Sequence, residues 1–123
     1  MTNLGVGLGT MAGVGGVVGG VVGNAVIKNF TLDNTYFGGP NGEKGVSKNS
    51  LAAITPKIHP NANITISNVT VNAQMLETAN KFARMAGFVG SIEGANTTLT
   101  MENCTFNGVA TITGDYAGGM VAY

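Results

Sequence analysis

The sequence predicts an all-β protein, specifically a right-handed parallel β-helix (solenoid) of about three to four rungs with one short helix and one long loop inserted. Two repeated patterns indicate this fold. A four-residue pattern, small-apolar-x-small, lies between the copies of a ten-residue pattern. The ten-residue pattern occurs three times: Ala25–Asn34 (AVIKNFTLDN), Ile64–Ala73 (ITISNVTVNA) and Leu99–Gly108 (LTMENCTFNG).

The ten-residue pattern combines a strand with a bend. In its second copy the apolar residues before Asn68 are at even-numbered positions, Ile64 and Ile66. After Asn68 they are at odd-numbered positions, Val69 and Val71, so the alternation switches parity at the asparagine. Side chains of a strand alternate between its two faces, so both halves can face inward only if the chain bends at the asparagine. Asparagine tolerates the left-handed conformation that sharp bends use. We therefore expect a turn ladder of three stacked asparagines: Asn29, Asn68 and Asn103. The side chains expected inside are Ile66, Val69, Met101, Cys104 and Phe106.

The four-residue pattern predicts corners where neighbouring rungs approach closely. It occurs at Gly20–Gly23, Ser50–Ala53, Gly87–Gly90 and Gly119–Ala122, with starts 30, 37 and 32 residues apart. Small residues at both ends would let two backbones approach each other. The glycines predicted to form these repeat cores are Gly20, Gly23, Gly87, Gly90 and Gly119.

The segment Ala86–Tyr123 joins both patterns in one order: glycine core, strand, Asn-Cys-Thr turn and the next glycine core. In this it resembles the GLUG repeat family of large bacterial cell-surface and secreted proteins. The resemblance covers the second half of the chain well and the first half in pieces, since Ser50–Ala53 lacks both glycines. It implies an extracellular β-rich repeat array, often part of an adhesin, with no catalytic residues to transfer.

The chain is expected to be one repeat domain, residues 1–123, with a glycine-rich first rung (1–34), a loop insertion (35–61) and regular rungs (62–123). The turn cluster Gly38–Gly42 and several charged residues predict that the insertion is a solvated loop. Residues Gln74–Ala86 have helical spacing, which predicts a short helix docked on the solenoid. The apolar side of that helix would hold Met75, Ala79 and Phe82.

The segment Leu4–Ile27 carries no charged residue and allows three interpretations. Gly15, Gly19 and Gly23 have the four-residue spacing of packed membrane helices, and the segment is long enough to cross a bilayer. Its many glycines each cost about 1 kcal/mol in a helix, which favours strands and turns in the first rung. A membrane or signal segment and a disordered segment remain the alternatives.

Composition excludes some functions. Six basic and six acidic residues cancel, so the chain lacks the basic excess of a nucleic-acid-binding protein. His59 has no second residue placed for a metal site, and Cys104 has no basic partner that would make it a nucleophile. The carboxylates show no pairing in the sequence. We therefore expect no catalytic residue, no cofactor and no metal. The carboxylates are Asp33, Glu43, Glu77, Glu93, Glu102 and Asp115.

Two function classes remain. The first is a structural or adhesive repeat module of a cell-surface or secreted protein, without catalysis, whose loops meet a host or matrix ligand. The alternative is a β-helix that binds or cleaves polysaccharide, which would need clustered carboxylates and exposed aromatic residues. The last glycine core, Gly119–Ala122, has no capping segment after it, so we expect a fragment of a longer array or end-to-end stacking of rungs between copies. No nucleic-acid or membrane partner is expected.

Overall fold

The computed structural model describes residues 5–6, 13–37, 50–76, 84–111 and 116–122. These residues form an all-β structure, and no helix occurs among them. The strands are β1 (Gly5–Val6), β2 (Gly13–Gly15), β3 (Asn24–Phe37), β4 (Ser50–Ala52), β5 (Asn63–Leu76), β6 (Arg84–Ala86), β7 (Thr98–Thr111) and β8 (Tyr116–Gly118).

The strands form two sheets, and all pairing within them is parallel. Their orders are β1-β3-β5-β7 and β2-β4-β6-β8. Each repeat therefore gives a short strand to one sheet and the following long strand to the other. Asn24 pairs with Asn63, and Asn63 pairs with Thr98, so equivalent positions of the three long strands lie side by side.

Each long strand bends at the asparagine of the ten-residue pattern. Asn29, Asn68 and Asn103 have φ values of 60°, 53° and 50°, in the left-handed region. Ile66 before the bend and Val69 after it are both fully buried, as are Ile64 and Val71. The parity switch thus keeps both halves of the strand facing the same core.

The core is one apolar cluster to which both sheets contribute. The core-facing side chains of β5 are buried, because β3 and β7 flank the strand on both sides. Three side chains of β7 were also expected to face the core: Met101, Cys104 and Phe106. They pack against the cluster but are only partly buried. The difference arises because, among the described strands, β7 has a neighbour on one side only.

The helix predicted for Gln74–Ala86 is not borne out. Gln74–Leu76 ends β5, and Arg84–Ala86 is β6; residues 77–83 lie outside the described residues. Gln74 pairs with Val109 and Met75 with Ala110, so the sheet supplies the backbone hydrogen bonds that a helix would otherwise make. Tertiary pairing overrides the local helical spacing here.

The solvated loop predicted for residues 35–61 is wrong at both of its described ends. Thr35–Phe37 completes β3, and Ser50–Ala52 is β4. The chain from Ser50 to Pro56 is buried, because Leu51 and Ile54 belong to the core. The turn cluster in residues 38–42 lies outside the described residues.

The glycine-rich start forms strands and turns where it is described. Gly5–Val6, Gly13–Gly15 and Asn24–Ile27 are extended, while residues 7–12 lie outside the described residues. Within the part of the chain that the structure describes, no helix is long and apolar enough to cross a membrane.

The glycine cores need a correction in the first two repeats. Gly13, Ser50, Arg84 and Tyr116 are register equivalents, so Gly87 and Gly119 correspond to Ala53 and Gly16. The predicted second core, Ser50–Ala53, therefore begins three residues too early. Gly20 and Gly23 lie further along: Val21 between them bridges Ile58. The Gly-Gly-Val-Val sequence recurs after four residues, so the prediction placed the first core one recurrence too late. Gly90, by contrast, needs its lack of a side chain, since a Cβ there would lie 2.6 Å from the Pro56 carbonyl oxygen.

Candidate functional site: two polar ladders and a groove

The bends of the long strands bring three asparagine side chains into one column. The Asn68 Nδ2 group donates to Asn29 Oδ1 at 3.0 Å, and Asn103 Nδ2 donates to Asn68 Oδ1 at 2.8 Å. All three side chains are exposed. We call this column the asparagine ladder. It places the turn asparagines singled out in the sequence at equivalent positions, each amide bonded to the next.

A second column, which the sequence reasoning missed, lies four residues further along each strand. Asn72 Nδ2 donates to Asp33 Oδ1 at 3.0 Å, and Asn107 Nδ2 donates to Asn72 Oδ1 at 3.1 Å. We call it the Asp33 ladder. The signal for it was present, because the ninth position of the ten-residue pattern reads Asp, Asn and Asn in its three copies.

A β-bulge lies at the start of the Asp33 ladder. Leu32 pairs with Val71 and Thr35 with Ala73, so two residues of β3 oppose one residue of β5. Asn34, one of those two residues, has a φ of 49°. The buried Thr35 hydroxyl donates to the Asp33 carbonyl oxygen at 3.4 Å. Bulges bend a strand and redirect its side chains, and the bulge residues Asn34 and Thr35 line a groove at this point of the surface.

The bulge and the Asp33 ladder line an open groove of about 340 Å³. Each of the three strands contributes an amide or carboxylate to the lining, and β5 and β7 add small or apolar residues. Among the described lining residues a single carboxylate, Asp33, lies with hydrogen-bonding amides and one hydroxyl. The lining residues are Asp33, Asn34, Thr35, Asn72, Ala73, Gln74, Asn107, Gly108 and Val109.

The other candidate carboxylates that the structure describes lie apart from the groove lining. Glu93 forms an ion pair with Lys57, with 2.7 Å between Oε2 and Nζ, and this pair links two successive repeats. Glu102 lies exposed on β7 in register with Ser67. Glu43, Glu77 and Asp115 lie outside the described residues.

The two remaining reactive side chains occupy structural positions. The Cys104 thiol is partly buried, and Sγ lies 3.4 Å from the Ile66 carbonyl oxygen, which can accept its hydrogen. His59 belongs to the turn segment between β4 and β5, where its backbone N–H donates to the Val21 carbonyl oxygen at 3.0 Å. No group of three or more His, Cys, Asp or Glu residues in the described ranges could hold a metal ion.

Comparison of the chain with protein-family models, with curated proteins and with solved structures finds no match. The ladders, the groove and the strand edges are therefore the features from which a function can be argued.

Proposed function

We propose that the chain is a structural repeat module without catalytic activity, built as a right-handed parallel β-helix and belonging to a cell-surface or secreted protein of the GLUG-repeat type. The observation that carries this proposal is the parallel register of the three long strands, interrupted among the described residues by the bulge between Leu32 and Thr35, with equivalent residues joined along two polar ladders. Its role would be to hold loops at fixed spacing, where they meet a host or matrix ligand.

The repetition of contacts supports a spacer. Each repeat stacks on its neighbour through the same parallel pairing, the same inward apolar positions and the same amide hydrogen bonds. In such an array the stability is approximately a sum of contributions from each repeat and from the interfaces between neighbours. Such a structure can be lengthened by whole repeats, because each added repeat uses the same core contacts. This property suits a spacer, whose length fixes the distance between the parts that it joins.

The scattered chemistry of the described residues also favours a structural role. Acid–base catalysis on a glycan needs two carboxyl groups facing one substrate. Asp33 is the one carboxylate lining the groove, and Glu93 is held in its pair with Lys57. The described groove residues thus supply hydrogen-bonding groups but not a pair of acids.

Duplication of a repeat tests the structural proposal. Arg84 and Tyr116 are register equivalents, so a second copy of residues 84–115 can be inserted between residues 115 and 116 without changing the register. We expect a folded protein that is longer by about 4.8 Å along the stacking direction, the spacing of neighbouring strands. Small-angle scattering and circular dichroism measure the length and the strand content.

A matched control inserts the same residues in scrambled order. The scrambled insert should unfold the end of the protein or form a loose tail, because its apolar positions no longer face the core. If the true duplicate loses strand content as the scrambled control does, the stacked-repeat proposal is wrong.

The groove supports a second candidate function, carbohydrate binding. Planar amides such as Asn72 and Asn107 can donate to and accept from sugar hydroxyls, and the groove is open to solvent. A glycan array probed with the wild-type chain and with Asn107→Ala tests this candidate. Binding that is lost in Asn107→Ala and kept in the distant variant Thr65→Ala would favour it, and no glycan binding would leave the structural role as the sole function.

A further inference from the structure

Strand β7 leaves apolar side chains half covered at positions where its neighbour β5 is completely buried. Leu99, Met101, Cys104 and Phe106 are partly exposed, and each is a register partner of a fully buried β5 residue. Those β5 partners are Ile64, Ile66, Val69 and Val71. The inward face of β7 therefore has the chemistry of a core strand but lacks the cover that β5 receives.

The free edge of β7 also offers backbone hydrogen bonds. Within the described part of the chain β7 pairs only with β5, so the opposite edge of its 14 residues has no strand beside it. Strand β8 pairs with β6 in the other sheet and so does not pair with this edge. A long unpaired edge next to half-covered apolar side chains is a surface that takes up another strand.

The polar side chains of β7 specify what such a strand should contain. Asn103 uses its Nδ2 group to bond Asn68, so its Oδ1 atom can accept a hydrogen bond from one more asparagine. The carboxylate of Glu102, next to it, is exposed and has no ion pair among the described residues. A complementary strand would therefore have an asparagine opposite Asn103 and a basic residue opposite Glu102.

We propose that the β7 edge binds an extended strand of another polypeptide that carries the ten-residue pattern, runs parallel to β7 and has Lys or Arg immediately before its asparagine. The proposed function does not name a partner strand. The present proposal rests on it in one respect, that repeats stack by parallel pairing of their long strands. The first copy of the pattern has the required residues. Lys28 precedes Asn29, with Ala25 and Ile27 before them and Phe30 and Leu32 after them.

A peptide with the sequence of residues 24–34, NAVIKNFTLDN, is the probe. Fluorescence anisotropy of the labelled peptide, titrated with the full chain, should show saturable binding. A scrambled peptide of the same composition should not bind, because its apolar residues cannot all face Leu99, Met101, Cys104 and Phe106. Equal binding of both peptides, or no saturable binding at millimolar concentrations, would overturn the proposal.

A charge swap tests the register. The peptide change Lys28→Glu should weaken binding by about fivefold at low salt, as expected for an exposed ion pair. Glu102→Lys in the protein should restore the binding of that altered peptide. Weakening without restoration would show that the strand does not lie in the proposed register.

Sedimentation of the chain alone tests whether a second copy of the chain, rather than another polypeptide, binds the β7 edge. A monomer that binds the peptide supports a strand supplied by another polypeptide. A concentration-dependent dimer that excludes the peptide would overturn this assignment in favour of a second copy of the chain. The repeat duplication measures folding and length, so it can succeed or fail independently of peptide binding.

Discussion

Asn68 occupies the middle of the asparagine ladder, where it accepts from one neighbour and donates to the other. Its φ of 53° is a conformation that asparagine and glycine adopt far more readily than β-branched residues. The residue therefore has two roles: it permits the bend, and it ties three strands together through its amide.

The substitutions Asn68→Val and Asn68→Gly separate the two roles. Valine removes both hydrogen bonds and is strained at positive φ, so we expect it to lower the free energy of unfolding by roughly 1 to 3 kcal/mol. Glycine removes the hydrogen bonds but fits the backbone, so its effect should be smaller. Urea denaturation measures both values. An unchanged midpoint for Asn68→Val would contradict the strained bend.

Gly90 and Gly19 form a second contrast at the residue scale. A Cβ on Gly90 would lie 2.6 Å from the Pro56 carbonyl oxygen and 2.7 Å from the Ser50 Cβ, while a Cβ on Gly19 would have nothing within 4 Å. Gly90→Ala should destabilise the protein by about 1 to 3 kcal/mol through overpacking. Gly19→Ala should be neutral or stabilise by less than about 1 kcal/mol. Thermal unfolding compares them, and equal effects would refute the close approach at Gly90.

At the scale of the element, the extent to which a strand is flanked decides the cost of a core substitution. Strands β3 and β7 flank β5 along its length, whereas β1, within the described residues, pairs with only two residues of β3. Ile27 in β3 and Ile66 in β5 are register partners of the same residue type, yet Ile66 is fully buried and Ile27 only partly. Ile66→Ala should cost about 2 to 5 kcal/mol, the range for buried aliphatic side chains. Ile27→Ala should cost clearly less. Denaturant unfolding of the two variants tests the prediction, and a larger loss for Ile27→Ala would contradict the central position of β5.

The elements also show what the sequence could and could not predict. The bend at Asn68 was predictable, because an apolar alternation that switches parity keeps facing one core only if the strand bends. The Asp33 ladder was missed because a lone aspartate at the head of a column does not look like its asparagine partners Asn72 and Asn107. The helix predicted for Gln74–Ala86 is not borne out at its described ends, since local spacing contains no information about the pairing of Gln74 with Val109. The first glycine core was predicted four residues too late, because the glycine-rich sequence repeats itself every four residues.

At the scale of the whole molecule, the parallel stacking of repeats organises all of these features. Strands that are neighbours in each sheet are separated in sequence by a complete repeat, as the pairing of Val69 with Cys104 illustrates. One register therefore sets the asparagine ladder, the Asp33 ladder, the groove and the free edge of β7. A shift of a single residue between β5 and β7 would turn the inward side chains of one strand outward.

The most direct test of this register uses the single cysteine. Val69 is the register partner of Cys104 on β7, while Val71, equally buried, is the partner of Phe106. Under mild oxidation Val69→Cys should form an intramolecular disulfide with Cys104, because neighbouring strands place their Cα atoms about 4.8 Å apart. Val71→Cys, two residues along the strand, should not. Mass spectrometry of the digested protein identifies the link; cross-linking of Cys104 by Val71→Cys and not by Val69→Cys would contradict the register that sets both ladders, the groove and the free edge.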